Sequence, residues 1–338
     1  MIVGWDDSAS PMSLMRFHWI ADVINQSADL RYELYKPWRH YDALVMVKSM
    51  SADCIALATT AKRAGTRVIF DANVDYYTQC DADPLFVEMV ATEEQREQAI
   101  AMTSLADGVM ASSRHLANIC SGYSKQPTKW IPDNVNFSLQ SKRPKKSKIS
   151  PLLLWWSGMP QKMLDFLLIE NVLRKYASQI HLHIVTNDLA ATKVWPEEKQ
   201  QQFKQLLQDV PHTIHSFTSV GNLMHLYTEN GGVVISPRFL DGPYNLGHSE
   251  WKITLAMACG LPAIGSPVPS YQDVANYSPN AVQICRTEMD WDTAFAEILN
   301  SGPNLEVAET AAIEVVKNHY STEVVAKAHR EFLLGFFA

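Results

Sequence analysis

The chain has 338 residues, 47% of them apolar, which is enough for two hydrophobic cores; its formal net charge of −7 argues against a nucleic-acid binder, whose phosphate contacts need a basic surface. Its longest apolar runs, residues 152–156 and 332–338, fall far short of the ~20 residues that span a bilayer, and no cationic, apolar and small-residue leader opens the chain, so a cytoplasmic location is expected. Five cysteines, widely spaced and without a C-x-x-C pair, read as small core residues and support neither a disulfide framework nor a zinc site.

In chain order, short apolar strands at 1–4, 43–47 and 67–71 alternate with helical patterns at 13–26 and 52–64. A long helix is expected over 85–105, then a strand entering a helix from Ala106, and another strand at 128–132. Ser141-Lys-Arg-Pro-Lys-Lys-Ser-Lys reads as an interdomain linker over 141–150, a solvated connector in preference to a contact with anionic lipid headgroups. A second run starts with a strand at 152–156 and continues with strands at 182–186, 213–217, 233–236, 262–265 and 281–285. Helices at 291–300, 305–318 and 322–334 complete it. Strand and helix alternating in this way is the pattern of parallel sheets covered on both faces. Two domains are expected, 1–140 and 151–318, with 319–338 as a closing helix.

The most informative stretch runs from Ser236 to Pro267. Val233-Val234-Ile235 is a short buried strand, Gly242, Pro243, Asn245 and Gly247 force an irregular loop, and Ser249 is a candidate N-cap for a helix reaching about Cys259. Glu250 suits the positive end of that helix, whereas Lys252 stands against the dipole. Beside a bound anion that cation makes sense; the alternative is a lysine that simply reaches solvent. Asp71 and Asp75 follow a strand end, where open α/β sheets place functional groups, or they cap the next element. His181-x-His183 and His212-x-x-His215 have no third ligand near in sequence, so no metal site is expected. No G-x-G-x-x-G, P-loop or G-x-S-x-G pattern occurs.

Lys252-Ile-Thr-Leu-Ala-Met-Ala-Cys-Gly-Leu-Pro-Ala-Ile-Gly-Ser-Pro-Val-Pro-Ser-Tyr-Gln-Asp-Val resembles the sugar-nucleotide segment of retaining GT-B glycosyltransferases of the family-4 type, E-A-M-A-x-G-x-P-V-[IV]-x-S followed by E-V. Gly158 and Lys162 resemble the G-R-x-x-x-x-K corner of that family, with Met159 in place of the arginine. Ala106-Asp…Ala111-Ser-Ser-Arg-His-Leu and Ile131-Pro-Asp-Asn-Val-Asn are similar to its A-D-x-V-x-x-x-S-x-x-L and I-P-N-G-V-D. The E-x7-E pair is degenerate: its glutamates fall on Gly247 and Leu255.

The resemblance implies two Rossmann-like, doubly wound parallel-sheet domains facing a cleft, with the C-terminal helix returning to the first. It implies transfer of a sugar from a nucleotide-sugar donor to a hydroxyl of a glycan, polysaccharide or lipid-linked acceptor, without metal or other cofactor and with at most peripheral membrane contact. Lys252, Lys162 and Arg238 are the catalytic candidates. Gly242, Asn245, Ser249, Glu250, Lys252 and Ser266 are those for the nucleotide sugar, and Arg16, Asp71 and Asp75 those for the acceptor side. A silent GT-B subunit that binds a partner or glycan, a periplasmic-type binding protein and a sugar-nucleotide epimerase are the alternatives.

Overall fold

The computed structural model describes residues 2–3, 10–80, 90–140, 151–300 and 304–337. The chain divides into two compact units. One gathers Met1–Asn136, Leu240–Glu250 and His319–Ala338; the other gathers Phe137–Phe239 and Trp251–Asn318. The 141–150 segment expected as linker lies outside the described residues. Among the described residues no helix is long and apolar enough to cross a membrane.

The first unit holds five parallel strands in the order β1 (Ile2–Val3), β2 (Ala43–Val47), β3 (Arg67–Ala72), β4 (Gly108–Ala111) and β5 (Thr128–Trp130). Successive side chains on a strand point to opposite faces, so each apolar run serves two cores. Leu44, Met46, Val68, Phe70 and Val109 pack with Ala58, Ala99, Met102 and Leu116 on one face. Val45, Val47, Ile69 and Met110 pack with Phe17, Ile20, Val325 and Leu333 on the other. That second layer joins the helix Trp19–Ile24 to the helix Thr322–Leu334.

Two helices differ from expectation. The one expected over 13–26 is Pro11–Ser13, a π-helical turn Leu14–His18, then Trp19–Ile24; the widened turn buries Arg16 and Phe17 together. The one expected from 85 starts at Glu93, because Thr92 and Gln95 form a reciprocal capping box that fixes its first turn. Residues 85–89 lie outside the described residues.

The second unit holds six parallel strands: β6 (Leu152–Ser157), β7 (Ile180–Thr186), β8 (His212–Ser216), β9 (Val233–Ser236), β10 (Ala263–Gly265) and β11 (Val282–Ile284). Their order in space is β11-β10-β9-β6-β7-β8. The sheet therefore reverses between β6 and β9, which pair at Leu154–Val233 and Trp155–Val234. In open α/β sheets the crevice beyond the carboxyl ends of such a strand pair is where ligands bind. The helix Trp251–Ala258 follows β9 and ends at Gly260, whose φ of +83° suits the residue without a Cβ. There the N–H of Gly260 reaches the Met257 carbonyl at 2.9 Å and the N–H of Leu261 the Ala256 carbonyl at 3.2 Å, closing the helix's orphan acceptors.

Candidate functional site

Three cations converge in the second unit at the switch point. β6 ends at Ser157, Gly158 turns the chain, and the 3-10 helix Pro160–Ile169 buries Lys162 and Asp165. Arg238 stands two residues past the end of β9, and Lys252 in the first turn of Trp251–Ala258. Lys162 and Arg238 are each 3% exposed and Asp165 is fully buried. The Asp165 carboxylate accepts from the Phe239 N–H at 3.1 Å and from Arg238 Nη1 at 3.4 Å. The backbone N–H of Arg238 donates to Ser266 Oγ at 2.8 Å, so Ser266 fixes the strand end that carries the guanidinium. Lys252 Nζ sits 4.5 Å from the centroid of the Trp156 ring, within cation–π range.

Burial dominates the electrostatics. Burial, then Arg238 and Lys162, push the Lys252 ammonium well below the ordinary lysine value, with Asp165 opposing. Burial likewise lifts Asp165 above the usual carboxylate value, against the pull of Arg238, Lys162 and Lys252. Lys162, Arg238 and Lys252 gather with the Asp165 carboxylate in a poorly solvated place. Basic groups fixed in this way suit a multiply charged anion.

In the first unit a second polar group frames the strand ends. Arg16 forks onto Asp71 through Nε at 3.0 Å and Nη2 at 2.6 Å. Its Nη1 reaches the carbonyls of Ile131 and Pro132 and, at 3.2 Å, Asp133 Oδ1. Asp71 and Asp133 hold the guanidinium above its ordinary value against the downward pull of burial. Burial lifts Asp71 and Arg16 opposes the rise. Ser249 donates its hydroxyl to Asp133 Oδ2 at 2.6 Å, which ties the Leu240–Glu250 loop to this network. Asn245 and Glu250 of the same loop are buried.

The loop also explains a departure from the glycosyltransferase pattern. A Cβ at Gly247 would lie 2.7 Å from the Cβ of Asp75, so no side chain, the glutamate of the pattern included, stands there while Asp75 keeps its place. Leu255, where the other glutamate falls, is 1% exposed and belongs to the core. Asp75 and Gly242 line a cavity of about 370 Å³ within this unit.

The structure thus brings Lys162, Arg238, Lys252 and Ser266 together in one unit. It places Arg16, Asp71, Asp75, Gly242, Asn245, Ser249 and Glu250 in the other. Asp165, Trp156 and Asp133 are the partners that sequence reasoning missed. The signal for Asp165 is a single acid inside the apolar run Met163-Leu164-Asp165-Phe166-Leu167, since a lone charge there must be buried and therefore paired. The histidines of β7 and β8 form a stacked layer: His183 lies 4.3 Å from Trp155, and its Nδ1 is 2.9 Å from His215 Nε2. Among the described residues no group of three or more His, Cys, Asp or Glu side chains is placed to hold a metal ion.

No protein-family model matches the sequence, and no curated protein matches it. Solved structures do. HepE from Anabaena, in complex with UDP and glucose, superposes with a TM-score of 0.68 at 13% identity over 98% of this chain and 98% of its own. Sucrose-phosphate synthase from Thermosynechococcus elongatus gives 0.64 at 17% identity over 88% of this chain and 74% of that one. TarM gives 0.63 at 13% identity over 86% of this chain, which spans about half, 54%, of TarM. The likeness establishes the fold as GT-B, two Rossmann-like units built on parallel sheets.

Proposed function

We propose that this chain is a glycosyltransferase that moves a sugar from a nucleoside-diphosphate donor to a hydroxyl of a glycan, polysaccharide or lipid-linked acceptor, in the cytoplasm and with retention at the anomeric carbon. The observation that carries the reading is the gathering of Lys162, Arg238 and Lys252 around the buried carboxylate Asp165 at the switch point. In the transfer, the bond from the sugar's anomeric carbon to the diphosphate oxygen breaks and its electron pair stays with the diphosphate. The acceptor oxygen bonds that carbon, and the acceptor proton passes to a diphosphate oxygen. Negative charge grows on the leaving group, and cations already fixed around it lower the barrier; one such contact is worth roughly 3–4 kcal/mol. Three side-chain cations can do there what a divalent metal does elsewhere, so the reading is metal-independent.

Uridine diphosphate is the first ligand to test, since the HepE structure contains UDP and glucose. UDP at 100 times its dissociation constant should stabilise the fold by about 2.7 kcal/mol, seen as a rise in Tm that a chelator leaves unchanged. Lys252→Ala should abolish that rise while the unliganded protein still unfolds cooperatively. If no nucleoside diphosphate raises Tm, the reading fails. Buried Leu255 and crowded Gly247 favour a second reading, nucleotide binding without turnover. It is distinguished by a nucleotide sugar that binds but is neither transferred nor hydrolysed under any acceptor.

A further inference from the structure

We infer that Asp165 is a positioning residue of the diphosphate site: it aims the Arg238 guanidinium, so that the anion binds more tightly with this acid in place than with a neutral group there; the inference rests on the nucleotide-sugar reading. A carboxylate near a bound diphosphate is a like charge, and on that ground alone its removal should tighten binding. The geometry points the other way. Asp165 is fully buried, Arg238 and Lys162 each keep 3% of their surface, and Lys252 is half-buried. The acid is thus the innermost member of the group, and an entering anion meets the basic side chains before it.

Both oxygens of Asp165 go to consecutive residues just past β9: Oδ1 accepts from the Phe239 N–H at 3.1 Å and Oδ2 from Arg238 Nη1 at 3.4 Å. Ser266 Oγ accepts from the Arg238 N–H at 2.8 Å, so the backbone and the side chain of Arg238 are anchored by different residues. An arginine oriented beforehand gives up less rotamer freedom when it takes a phosphate, and that saving goes directly into affinity. The helix that carries the acid fits this use. In a 3-10 helix side chains three apart eclipse, so Pro160–Ile169 stacks Asp165 over Lys162. Such runs rarely exceed three or four residues, and this one sets an acid inside the apolar stretch Met163-Leu164-Asp165-Phe166-Leu167. Burial raises the carboxyl, and Arg238 is the largest influence opposing that rise, ahead of Lys162, the Phe239 N–H and Lys252.

The test is calorimetric titration of the full chain with inorganic pyrophosphate and with UDP at fixed pH, with Tm recorded for each variant. Asp165→Asn keeps an oxygen for the Phe239 N–H and turns an amide donor toward Arg238 Nη1. It should weaken both ligands about tenfold, the order expected when one charge-assisted hydrogen bond is lost. In an Arg238→Met background, where no guanidinium is left to aim, the same change should no longer weaken them. Asp165→Glu keeps the charge and displaces the oxygens, so it should weaken both ligands too, and it tests aim apart from charge even if the asparagine variant does not fold. Tighter binding by Asp165→Asn would make the acid a repelling charge and nothing more. Equal weakening with and without Arg238 would give it a role in the fold alone. Either result overturns the inference, as does unchanged affinity in Asp165→Glu. Pyrophosphate carries no nucleoside, so failure of UDP alone strikes the donor reading and not this one, whereas a wild-type protein that binds neither sinks both.

Discussion

Gly158 is held to glycine by what stands over it: a Cβ there would lie 2.7 Å from Lys252 Nζ and 2.9 Å from the Trp156 ring. The lysine can move aside, but the buried indole cannot. Gly158→Ala should therefore lower Tm, by about 1–3 kcal/mol of stability, and also weaken UDP about tenfold, or 1.4 kcal/mol, by calorimetric titration. Unaltered affinity would separate Lys252 from the anion site. Arg16 answers to a different logic, because its removal leaves Asp71 and Asp133 as buried carboxylates without their cation. Arg16→Met should destabilise the protein by about 3–5 kcal/mol in urea unfolding, and adding Asp71→Asn should recover part of the loss. A single-variant effect below about 1 kcal/mol would mean the pair is far better solvated than its burial implies. At this scale the sequence singles out Lys162, Arg238 and Lys252 one at a time, each for its own local reason. It cannot show that all three surround Asp165, since 73 residues separate that acid from Arg238 and only the strand reversal brings them together.

The strands are the most legible elements, because a parallel sheet buried on both faces demands near-continuous apolar runs such as Leu44-Val45-Met46-Val47. Helix starts are less so. The helix from Glu93 depends on side-chain oxygens at Thr92 and Gln95, a signal weaker than the apolar spacing that precedes it. The helices Glu197–Asp209 and Val220–Asn230 escape notice between strands that are easily seen. The helix Thr322–Leu334 carries a titratable group into the first core: His329 is 1% exposed, with its Nε2 2.9 Å from the Tyr32 hydroxyl. Burial first, then Arg16, lowers it from 6.5 to about 3. The unfolded chain binds a proton below about pH 6.5 that the folded one refuses down to about pH 3. The stability linked to neutral His329 is thus whole above pH 6.5 and declines as pH falls through that window, by up to ~1.4 kcal/mol per unit. His329→Gln should flatten the part of the stability curve between pH 6.5 and 4 that this residue causes. A curve of identical slope in the variant would assign the acid loss to other groups.

At the scale of the molecule, alternation of strand and helix is enough to predict two parallel-sheet units, and the structure has them. What the alternation does not contain is the ownership of short segments. Leu240–Glu250 lies in sequence between β9 and the helix that follows it, both in the second unit, yet it clusters with the first through Ser249 on Asp133 and Gly247 against Asp75. No local pattern encodes such a choice, because it is decided by hydrogen bonds to residues more than a hundred positions away. The cavity around Asp75 is hidden from sequence for the same reason, its wall being drawn from three separate stretches.

The three-part composition of the first unit bears on how the protein is made. Its core includes Val325, Ala326 and Leu333, which reach the ribosome exit only after the whole of Phe137–Asn318 has been translated. The early sheet, with Val45, Ile69 and Met110 still uncovered on one face, must wait through that interval as an incomplete layer, which is the condition in which nascent chains are held by chaperones or aggregate. The second unit lacks no strand by then and is free to fold first, reversing the usual order in which the amino-terminal part of a protein is finished before the rest.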